Sequence, residues 1–313
     1  MKRIRPNYYD EFRCIASDCR HNCCIGWEID IDDETMEKYR NVTGELSQKL
    51  SEKISEEGTA HFILCEDERC PFLDEKNLCE IISCLGEEYL CQICDDHPRF
   101  VNFFSDRTEI GLGLACEECA RIIVTQKEDF SLIEEDDEAA EDVTEGELAF
   151  YEIRNRIFSM LSDKTKPLYE RTEGIFEYMN ISLPDLYAHE WAEELSQFEI
   201  LDEAWEDRLE DLAAFKDNMD FPLEKYGKAF ENLVSYFLYR HLAGALEDGC
   251  LNERIAFAFI SAKIIYRICA VMFRRKEDFS IEDIIEISRM YSSEIEYSEE
   301  NTQEFLDILF EII

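Results

Sequence analysis

Twelve of the fourteen cysteines in this 313-residue chain lie between Cys14 and Cys119. Their order is Cys14-x4-Cys19-x3-Cys23-Cys24, Cys65-x4-Cys70, Cys79, Cys84, Cys91-x2-Cys94 and Cys116-x2-Cys119. This density is typical of a disulfide framework in secreted chains, and of metal sites in chains kept in a reducing compartment. The first ten residues turn polar at once, which is not the pattern of a signal peptide. The sequence therefore predicts a cytoplasmic protein with a thiolate metal site.

The identity of the metal stays open on spacing alone. Cys91-x2-Cys94 and Cys116-x2-Cys119, with 21 residues between the two pairs, would satisfy a structural zinc site. That arrangement leaves the eight other cysteines of the region unused, and a set made only of cysteines equally suits an iron–sulfur cluster. The C-x2-C-x2-C-x3-C run of bacterial ferredoxins is absent from the sequence. Zinc and an iron–sulfur cluster are both compatible with the chain.

Charge limits the partners that the chain can bind. Seventy-three Asp and Glu residues against 32 Lys and Arg residues give a net charge of −41. Such a surface repels phosphate backbones and anionic lipid headgroups, so neither nucleic acid nor a membrane is expected as a partner. Cationic partners are favoured instead. The densest acidic run, residues 133–147, is predicted to be solvated.

We predict a mainly α-helical fold in three parts. Residues 1–125 form a Cys-rich α+β domain that binds the metal or cluster, residues 126–147 an acidic linker, and residues 148–313 an all-helical domain. Apolar residues recur at helical spacing in the last part. One such stripe is Phe230, Leu233, Val234, Phe237 and Leu238. Charged residues interrupt the apolar stretch Ile255–Phe273, which is therefore predicted to be a buried helix and not a membrane span.

Local patterns predict individual elements of the N-terminal part. Trp27–Ile31 alternates apolar and polar residues like a short strand, and the Asp32-Asp33 pair is placed to cap the helix that follows. Cys70–Leu73 and Leu78–Ile81 flank a predicted hairpin turn. Cys116 precedes a predicted helix.

In the C-terminal part, two capping patterns and two isolated cysteines stand out. Ser280 and Asn301, each followed three residues later by an acidic residue, are predicted to begin the last two helices. Cys250 and Cys269 lie at apolar positions and are predicted to be buried free thiols in the core.

Six short motifs in the Cys-rich part occur together in one order. They are Cys19-x3-Cys23-Cys24-x-Gly26-Trp27, Cys70-Pro-Phe-Leu73, Leu78-Cys79-Glu-Ile81, Leu85-Gly86-Glu-Glu-Tyr-Leu90, Cys94-x3-Pro98-Arg99 and Cys116-x-Glu118-x-Ala120-Arg121. This series resembles the flagellin lysine-N-methylase family, whose cysteine pattern is shared by small zinc- or iron-chelating proteins. The motifs fall within residues 8–125. The helical remainder fits the family's length but carries no motif.

The resemblance implies a reaction and a cofactor. The reaction is methyl transfer from S-adenosylmethionine to lysine ε-amines of flagellin or a similar lysine-displaying protein, with a cysteine-bound iron–sulfur cluster of the 4Fe-4S type. Zinc is the alternative metal. The ligands that the resemblance implies are Cys14, Cys19, Cys23, Cys24, Cys70, Cys79, Cys91, Cys94 and Cys116. Cys65, Cys84 and Cys119 fall at variable positions and are not expected to bind the metal.

The implied chemistry also nominates residues of other types. A lysine amine has a pKa near ~10.4, so an enzyme must desolvate it or offer a base. The first candidates for a base or a lysine clamp are four acidic residues that lie among the motifs, Asp95, Asp96, Glu109 and Glu118. The alternative for each is a solvated carboxylate or a helix cap. Arg99 is a candidate for binding a cofactor carboxylate, and Trp27 for stacking on the cofactor or packing in the core. A non-catalytic metal-binding or redox-sensing module is the alternative function, although such a module would not need the long helical part.

Overall fold

The computed structural model describes residues 2–135, 142–184, 187–216 and 219–313. Its helices are α1 (Asp33–Arg40), α2 (Glu45–Lys53), α3 (Glu80–Leu85), α4 (Gln92–Asp96), α5 (Glu117–Thr125), α6 (Glu145–Leu161), α7 (Leu168–Met179), α8 (Ala188–Leu195), α9 (Ala204–Ala213), α10 (Leu223–His241), α11 (Ala245–Asp248), α12 (Leu251–Arg275), α13 (Ile281–Tyr291) and α14 (Glu299–Ile312). Its strands are β1 (Lys2–Pro6), β2 (Ile54–Ser55), β3 (His61–Phe62), β4 (Arg99–Phe103), β5 (Arg107–Leu112) and β6 (Leu132–Glu135). The prediction of a mainly helical protein is confirmed.

The chain divides into two compact units. The helical unit comprises Met1–Phe12 and Phe100–Ile313, and the cysteine unit comprises Arg13–Arg99. Ten of the fourteen cysteines belong to the cysteine unit. This division differs from the predicted boundaries at residues 125 and 147, because the chain on both sides of the cysteine unit packs with the helices.

A small sheet explains why the ends of the predicted Cys-rich domain join the helical unit. Its strand order is β4-β5-β1-β6, with β1 parallel to β5 and antiparallel to β6. The hydroxyl of Tyr239 on α10 donates to the carbonyls of Ile4 (3.3 Å) and Ile110 (3.1 Å), which ties α10 to two of these strands. Helix α5 packs against α10 and α13, and α12 packs against α9, α10, α13 and α14.

The predicted acidic linker begins as part of this sheet. Strand β6 is hydrogen-bonded to β1, and Glu134 and Glu135 form ion pairs with Lys2 and Arg5. The linker also ends early, since α6 starts at Glu145. Residues 136–141 of the predicted linker lie outside the described residues.

The long apolar helix is a core helix, as predicted. Within the described residues, α12 is the one helix long and apolar enough to cross a membrane, and 83% of its apolar 18-residue window is buried inside the protein. Cys269 is fully buried on this helix. The prediction of burial is wrong for Cys250, which is half-buried at the residue before α12, with its thiol 3.7 Å from the carbonyl oxygen of Asp248. The predicted apolar stripe of α10 is confirmed as buried.

One of the two predicted C-terminal caps is confirmed. Ser280 caps α13, and Asp283 accepts a hydrogen bond from the Ser280 amide (2.8 Å). Asn301 is wrong as a cap, because Ser298 caps α14 and accepts from the Asn301 amide (3.1 Å). Asn301 lies fully buried in the first turn, where its amide group donates to the carbonyls of Glu199 (2.8 Å) and Glu294 (2.7 Å).

The cysteine unit is built from short elements around its own apolar core. The predicted strand Trp27–Ile31 reduces to a single antiparallel bridge between Asp30 and His61, although its apolar residues Ile29 and Ile31 are buried. Asp32 caps α1 as predicted, accepting from the Thr35 amide (2.9 Å). The predicted hairpin turn is confirmed by a bridge between Leu73 and Cys79. The buried core consists of Ile29, Ile31, Met36, Tyr39, Leu50, Phe62, Cys70, Phe72, Ile81 and Cys91.

Candidate thiol centre and polar cavity

Backbone pairing brings the Cys23-Cys24 step beside Cys70. Gly26 has a φ of +80°, a conformation that favours glycine, and it turns the chain directly after the two cysteines. Its amide donates to the carbonyl of Glu68 (3.0 Å), and the amide of Cys70 donates to the carbonyl of Cys24 (2.8 Å). Two motifs that are 46 residues apart in sequence therefore share one hydrogen-bonded turn.

Helix starts position the remaining thiols of the group. Cys79 precedes α3, directly after the hairpin, and Cys91 precedes α4. The amide of Cys94 donates to the carbonyl of Cys91 (2.9 Å), so the Cys-x2-Cys step forms one helical turn. The hydroxyl of Tyr39 lies 3.5 Å from the Cys91 sulfur and donates to the carbonyl of Tyr89 (2.8 Å).

Five of these thiols lie on one apolar core. Cys70 and Cys91 are buried within it, and Cys24, Cys79 and Cys94 pack against it. Burial of this kind keeps water away from sulfur and strengthens electrostatic interactions between neighbouring groups.

The pKa values of the thiols record their mutual proximity. The pKa of Cys70 is raised to about 11, first by burial and further by the charges of Cys79 and Cys91. Burial is also the largest cause that raises the pKa of Cys79, and Cys91 adds to it. The pKa of Cys94 is raised most by the hydrogen bond that the Cys94 thiol donates to Cys91. Burial raises it next, followed by the charges of Cys91, Cys70 and Cys79.

The Cys23-Cys24 pair joins the same electrostatic group. A hydrogen bond from the Cys24 thiol lowers the pKa of Cys23, and the imidazole of His97 lowers it further. The donated bond raises the pKa of Cys24, as do burial and the charges of Cys70 and Cys94. Cys91 likewise has a lowered pKa, first because of its hydrogen bond with Cys94 and further because of its contact with the Tyr39 hydroxyl. In each of these two pairs, one thiol has a lowered pKa and the other a raised pKa.

The donor set fits a thiophilic metal centre by chemistry. Thiolates and an imidazole are the ligands that zinc and iron–sulfur clusters take, and six thiols with His97 exceed what one tetrahedral ion needs. Within the described residues, no three His, Cys, Asp or Glu side chains converge closely enough to hold a metal ion. A cluster binds its thiolates through different irons, so its ligands are spaced more widely than the sulfurs around a single zinc ion.

Three further predicted ligands are Cys14, Cys19 and Cys116. Cys14 and Cys19 flank a single helical turn at residues 16–18, where the Cys14 sulfur accepts from the Ala16 amide (3.4 Å) and the Cys19 thiol donates to the His21 carbonyl (3.3 Å). Cys116 belongs to the helical unit and precedes α5. Their role as ligands stays a prediction.

The cysteines not expected to bind the metal fall in two environments. Cys65 and Cys84 are exposed, and Cys119 is fully buried in the core of the helical unit.

The predicted acid–base candidates fall into two groups. Glu109 is completely buried and accepts two hydrogen bonds from Arg154 (2.6 and 2.7 Å), and Glu118 accepts two from Arg121 (2.7 and 2.6 Å). Both carboxylates are therefore already paired. The other two candidates, Asp95 and Asp96, are exposed on α4 beside Cys94.

The two predicted cofactor-binding residues are both solvent-accessible. Arg99 is exposed and donates to the carbonyl of Asp95 (2.9 Å). Trp27 is 39% exposed and is not a core residue.

Two cavities of the helical unit are lined by residues that the structure describes. The larger, about 1090 Å³, is mostly apolar and lies beside α7, α10 and α12; its aromatic lining includes Phe176, Phe230, Phe259 and Tyr266. The smaller, about 580 Å³, is more polar and lies beside β4, the start of α6 and the end of α10. The lining of the smaller cavity includes Asn102, Phe103, Glu147, Arg240, His241 and Glu247. We call it the polar cavity.

A buried carboxylate organises the residues at one side of the polar cavity. Glu296 accepts from Nε of Arg240 (3.1 Å) and from the hydroxyl of Tyr236 (3.1 Å), and Nε2 of His241 lies 2.6 Å from its Oε1. Burial would raise the pKa of Glu296, but the charge of Arg240 and the bond with His241 lower it, so it stays ionised. Burial lowers the pKa of His241. Glu296 ends a π-helical segment, Ser292–Glu296, a geometry frequent at functional sites.

These residues were not among the candidates predicted from the sequence. The signal for them is the Arg240-His241 pair, which ends an otherwise apolar run of α10. Their partner Glu296 lies 55 residues further along the chain, so no local pattern links them.

Comparison with known proteins places the chain in a family. A family model described as the FliB lysine N-methylase C-terminal domain matches residues 106–312. The match covers about two thirds of the chain, and the chain belongs to this family. The predicted resemblance is therefore confirmed, and the match extends over the helical part, where the sequence offered no motif.

Individual relatives match over shorter stretches. The lysine-N-methylases of Salmonella typhimurium and Salmonella choleraesuis are each 28% identical over 144 residues, which is 43% of this chain and 36% of the relative. The flagellar biosynthetic protein FliU of Salmonella muenchen is 27% identical over 142 residues, which is 42% of this chain and 84% of that protein. The match thus spans about a third of the length of the curated lysine-N-methylases. No solved structure matches the chain.

Proposed function

We propose that this protein is a protein-lysine N-methyltransferase that uses S-adenosylmethionine and acts in the cytoplasm on flagellin or a similar lysine-displaying protein. The match of residues 106–312 to the lysine N-methylase family carries the proposal. The names of the relatives support it, because two are called lysine-N-methylases and one a flagellar biosynthetic protein.

The reaction sets a demand on the chain's own residues. The ε-amine lone pair attacks the methyl carbon, the carbon–sulfur bond breaks to release S-adenosylhomocysteine, and one proton leaves the amine nitrogen. A protonated lysine amine has no lone pair. Before the attack, a base must remove the proton or a desolvating site must lower the pKa of the amine. Asp95 and Asp96 remain the better candidates for the base, because Glu109 and Glu118 are already paired with arginines.

An iron–sulfur cluster is part of the proposal. Its proposed ligands come from Cys23, Cys24, Cys70, Cys79, Cys91 and Cys94, the thiols that influence one another's pKa values. When bound, the cluster would supply iron sites of Lewis-acid and redox character. It would also join chain segments that otherwise share only a small core.

The ligand assignment predicts a difference between two cysteines of the same unit. Cys94→Ser should strip most of the metal and lower the yield of soluble protein, because metal binding is coupled to folding. Cys84→Ser is the matched control, since Cys84 is exposed on α3 and should retain wild-type metal. Both are measured by metal analysis and circular dichroism after anaerobic purification. Loss of metal in Cys84→Ser with retention in Cys94→Ser would contradict the assignment.

The activity is tested with labelled methyl donor. Anaerobically purified protein should transfer label from S-adenosylmethionine to lysines of purified flagellin, detected by mass spectrometry of the modified peptides. Lysate proteins from the same cell serve as a second acceptor pool. Label on neither pool, with metal content intact, would remove the methyltransferase proposal.

The alternative function, a metal-binding or redox-sensing module, is favoured by the thiol group alone. Analysis of iron, acid-labile sulfide and zinc separates the two cofactor types. Iron with sulfide supports the cluster, whereas zinc without iron supports a structural site. Absence of donor binding together with reversible oxidation of the thiols would favour the sensing module.

A further inference from the structure

Two residues that line the polar cavity carry buried hydrogen-bond donors for which the described part of the chain supplies no acceptor. Nη1 of Arg240 and Nδ2 of Asn102 are buried, and among the described residues nothing accepts a hydrogen bond from them. Both residues line the cavity. Buried donors are normally satisfied, so a ligand with acceptor oxygens would complete this site.

The Arg240 guanidinium is held in place from several directions. Its Nε donates to Glu296 (3.1 Å), and its carbon lies 5.1 Å from the Phe100 ring centroid and 5.2 Å from that of Tyr297. Phe100 packs so closely on Gly111 that a Cβ there would lie 2.2 Å from the ring. Arginine presents planar donors that match a carboxylate, and preorganisation lowers the cost of binding.

The rim of the polar cavity is apolar and exposed. Phe103 is 79% exposed, and Val101 and Leu246 are 41% and 40% exposed. An exposed aromatic ring at a cavity mouth offers a stacking surface to a planar base.

The cavity also carries negative charge. Glu147 and Glu247 line it, and Glu147 is anionic at neutral pH because backbone amides lower its pKa to about 2 against the effect of burial. A ligand with both a carboxylate and a positive group, attached to a flat base, would meet a complementary group for each part. The volume of about 580 Å³ lies within the roughly 300–1000 Å³ range of small-molecule sites.

The larger cavity is less suited to such a ligand. Its lining is mostly apolar, and Glu231, one of the carboxylates in that lining, is already paired with Lys164 and Arg171.

We propose that the polar cavity binds the methyl donor S-adenosylmethionine, with Arg240 and Asn102 on its carboxylate and Phe103 against its adenine. The proposal rests on the proposed function, because that reaction requires this donor. It assigns residues that neither the family match nor the cysteine motifs single out.

Calorimetry with the full-length protein, purified anaerobically, tests the site without measuring methyl transfer. S-adenosylhomocysteine is the main probe, because it keeps the carboxylate and the adenine and is not consumed; S-adenosylmethionine is the second. Phe103→Ala should weaken binding roughly tenfold, the loss expected for one stacked base. Asn102→Asp should weaken it at least as much, because it places a carboxylate beside the ligand's carboxylate.

The matched control lies in the other cavity. Tyr169→Ala removes a 64% exposed aromatic ring from the lining of the larger cavity and should leave both dissociation constants unchanged. Arg240 is not substituted, because its removal would leave Glu296 buried without its cation.

The outcomes separate this proposal from the proposed function. Wild-type affinity in Phe103→Ala and Asn102→Asp, or a loss confined to Tyr169→Ala, overturns the site while leaving the methyltransferase proposal standing. Weakened binding in both variants with no methylation of flagellin supports the site and rejects that substrate. No heat from the wild-type protein at millimolar donor, with metal intact, overturns both.

Discussion

Glu109 and Arg154 form a buried ion pair whose exposed side-chain fractions are 0% and 3%. Arg154 also lies over the ring of Phe150, 5.1 Å from its centroid. A pair of charges that is fully removed from water is stable only while both partners are present. Glu109 was predicted as a candidate base. Its burial beside Arg154 instead gives this carboxylate a structural role.

Arg154→Met should therefore destabilise the protein strongly. It leaves the Glu109 carboxylate buried without a counter-charge, which typically costs about 3–5 kcal/mol. Arg156→Met is the matched control on α6, because Arg156 is exposed, and it should change the free energy of unfolding by less than about 0.5 kcal/mol. Urea denaturation followed by circular dichroism measures both. Equal midpoints for the two variants would show that the ion pair contributes nothing.

At the scale of elements, the start of α6 shows how one carboxylate joins a helix to the sheet. Glu147 completes a capping box with Thr144, and its other oxygen accepts from the Ser105 amide (2.7 Å) in the turn between β4 and β5. Burial opposes ionisation of Glu147, but the amides of Ser105 and Thr144 prevail and lower its pKa to about 2. Its charged form is thus favoured by folding.

This pKa predicts a defined pH dependence. Because the folded-state pKa lies below the ordinary value of 4.5, the stabilisation from Glu147 is complete above pH 4.5 and is lost as the pH falls towards about 2. Glu147→Gln should reduce the free energy of unfolding at pH 7 by roughly 2 kcal/mol and flatten its change in that acidic window. Glu145→Gln, exposed in the same helical turn, is the control and should retain the wild-type profile. Denaturation series from pH 7 to 3 measure the free energy of unfolding of both variants and of the wild-type protein.

At the scale of the whole molecule, the net charge of −41 determines the sign of the electrostatic field around the protein. The field of such a surface attracts a lysine-displaying partner over distances comparable to the Debye length, about 8 Å at physiological salt. The acidic run is less uniform than the sequence suggested, because Glu134 and Glu135 are already paired with Lys2 and Arg5. Asp136, Asp137 and Glu138, which the sequence analysis included in the solvated acidic run, lie outside the described residues.

We expect kcat/KM on a protein substrate to fall as salt rises, while kcat at saturation changes little. Salt screens the attraction that speeds encounter but not the steps that follow binding. Initial rates over a series of sodium chloride concentrations measure the effect, and the affinity for S-adenosylhomocysteine over the same series is the control. A kcat/KM that does not vary with salt would mean that the charge serves solubility alone.

The sequence by itself determined features that depend on near neighbours. Helical periodicity located the buried stripes of α10 and α12, and local capping chemistry located Asp32 and Ser280. Cysteine spacing led to the family and to a group of thiols that the fold does bring near one another. The helical stripes and the caps are predictable because each rests on residues within a few turns, whose geometry the backbone dictates.

Only the tertiary structure decided features that depend on distant residues. The cysteine unit ends at Arg99 because β1 pairs with β5 and β6, which lie more than 100 residues later in the chain. Asn301 is buried where its amide group donates to the carbonyls of Glu199 and Glu294. Glu109 is paired because α6 places Arg154 beside it. The polar cavity brings Asn102 and Arg240 into one lining, and an ion pair joins Arg240 to Glu296. No local pattern encodes such pairs, because they meet only when separate elements pack and exclude water between them.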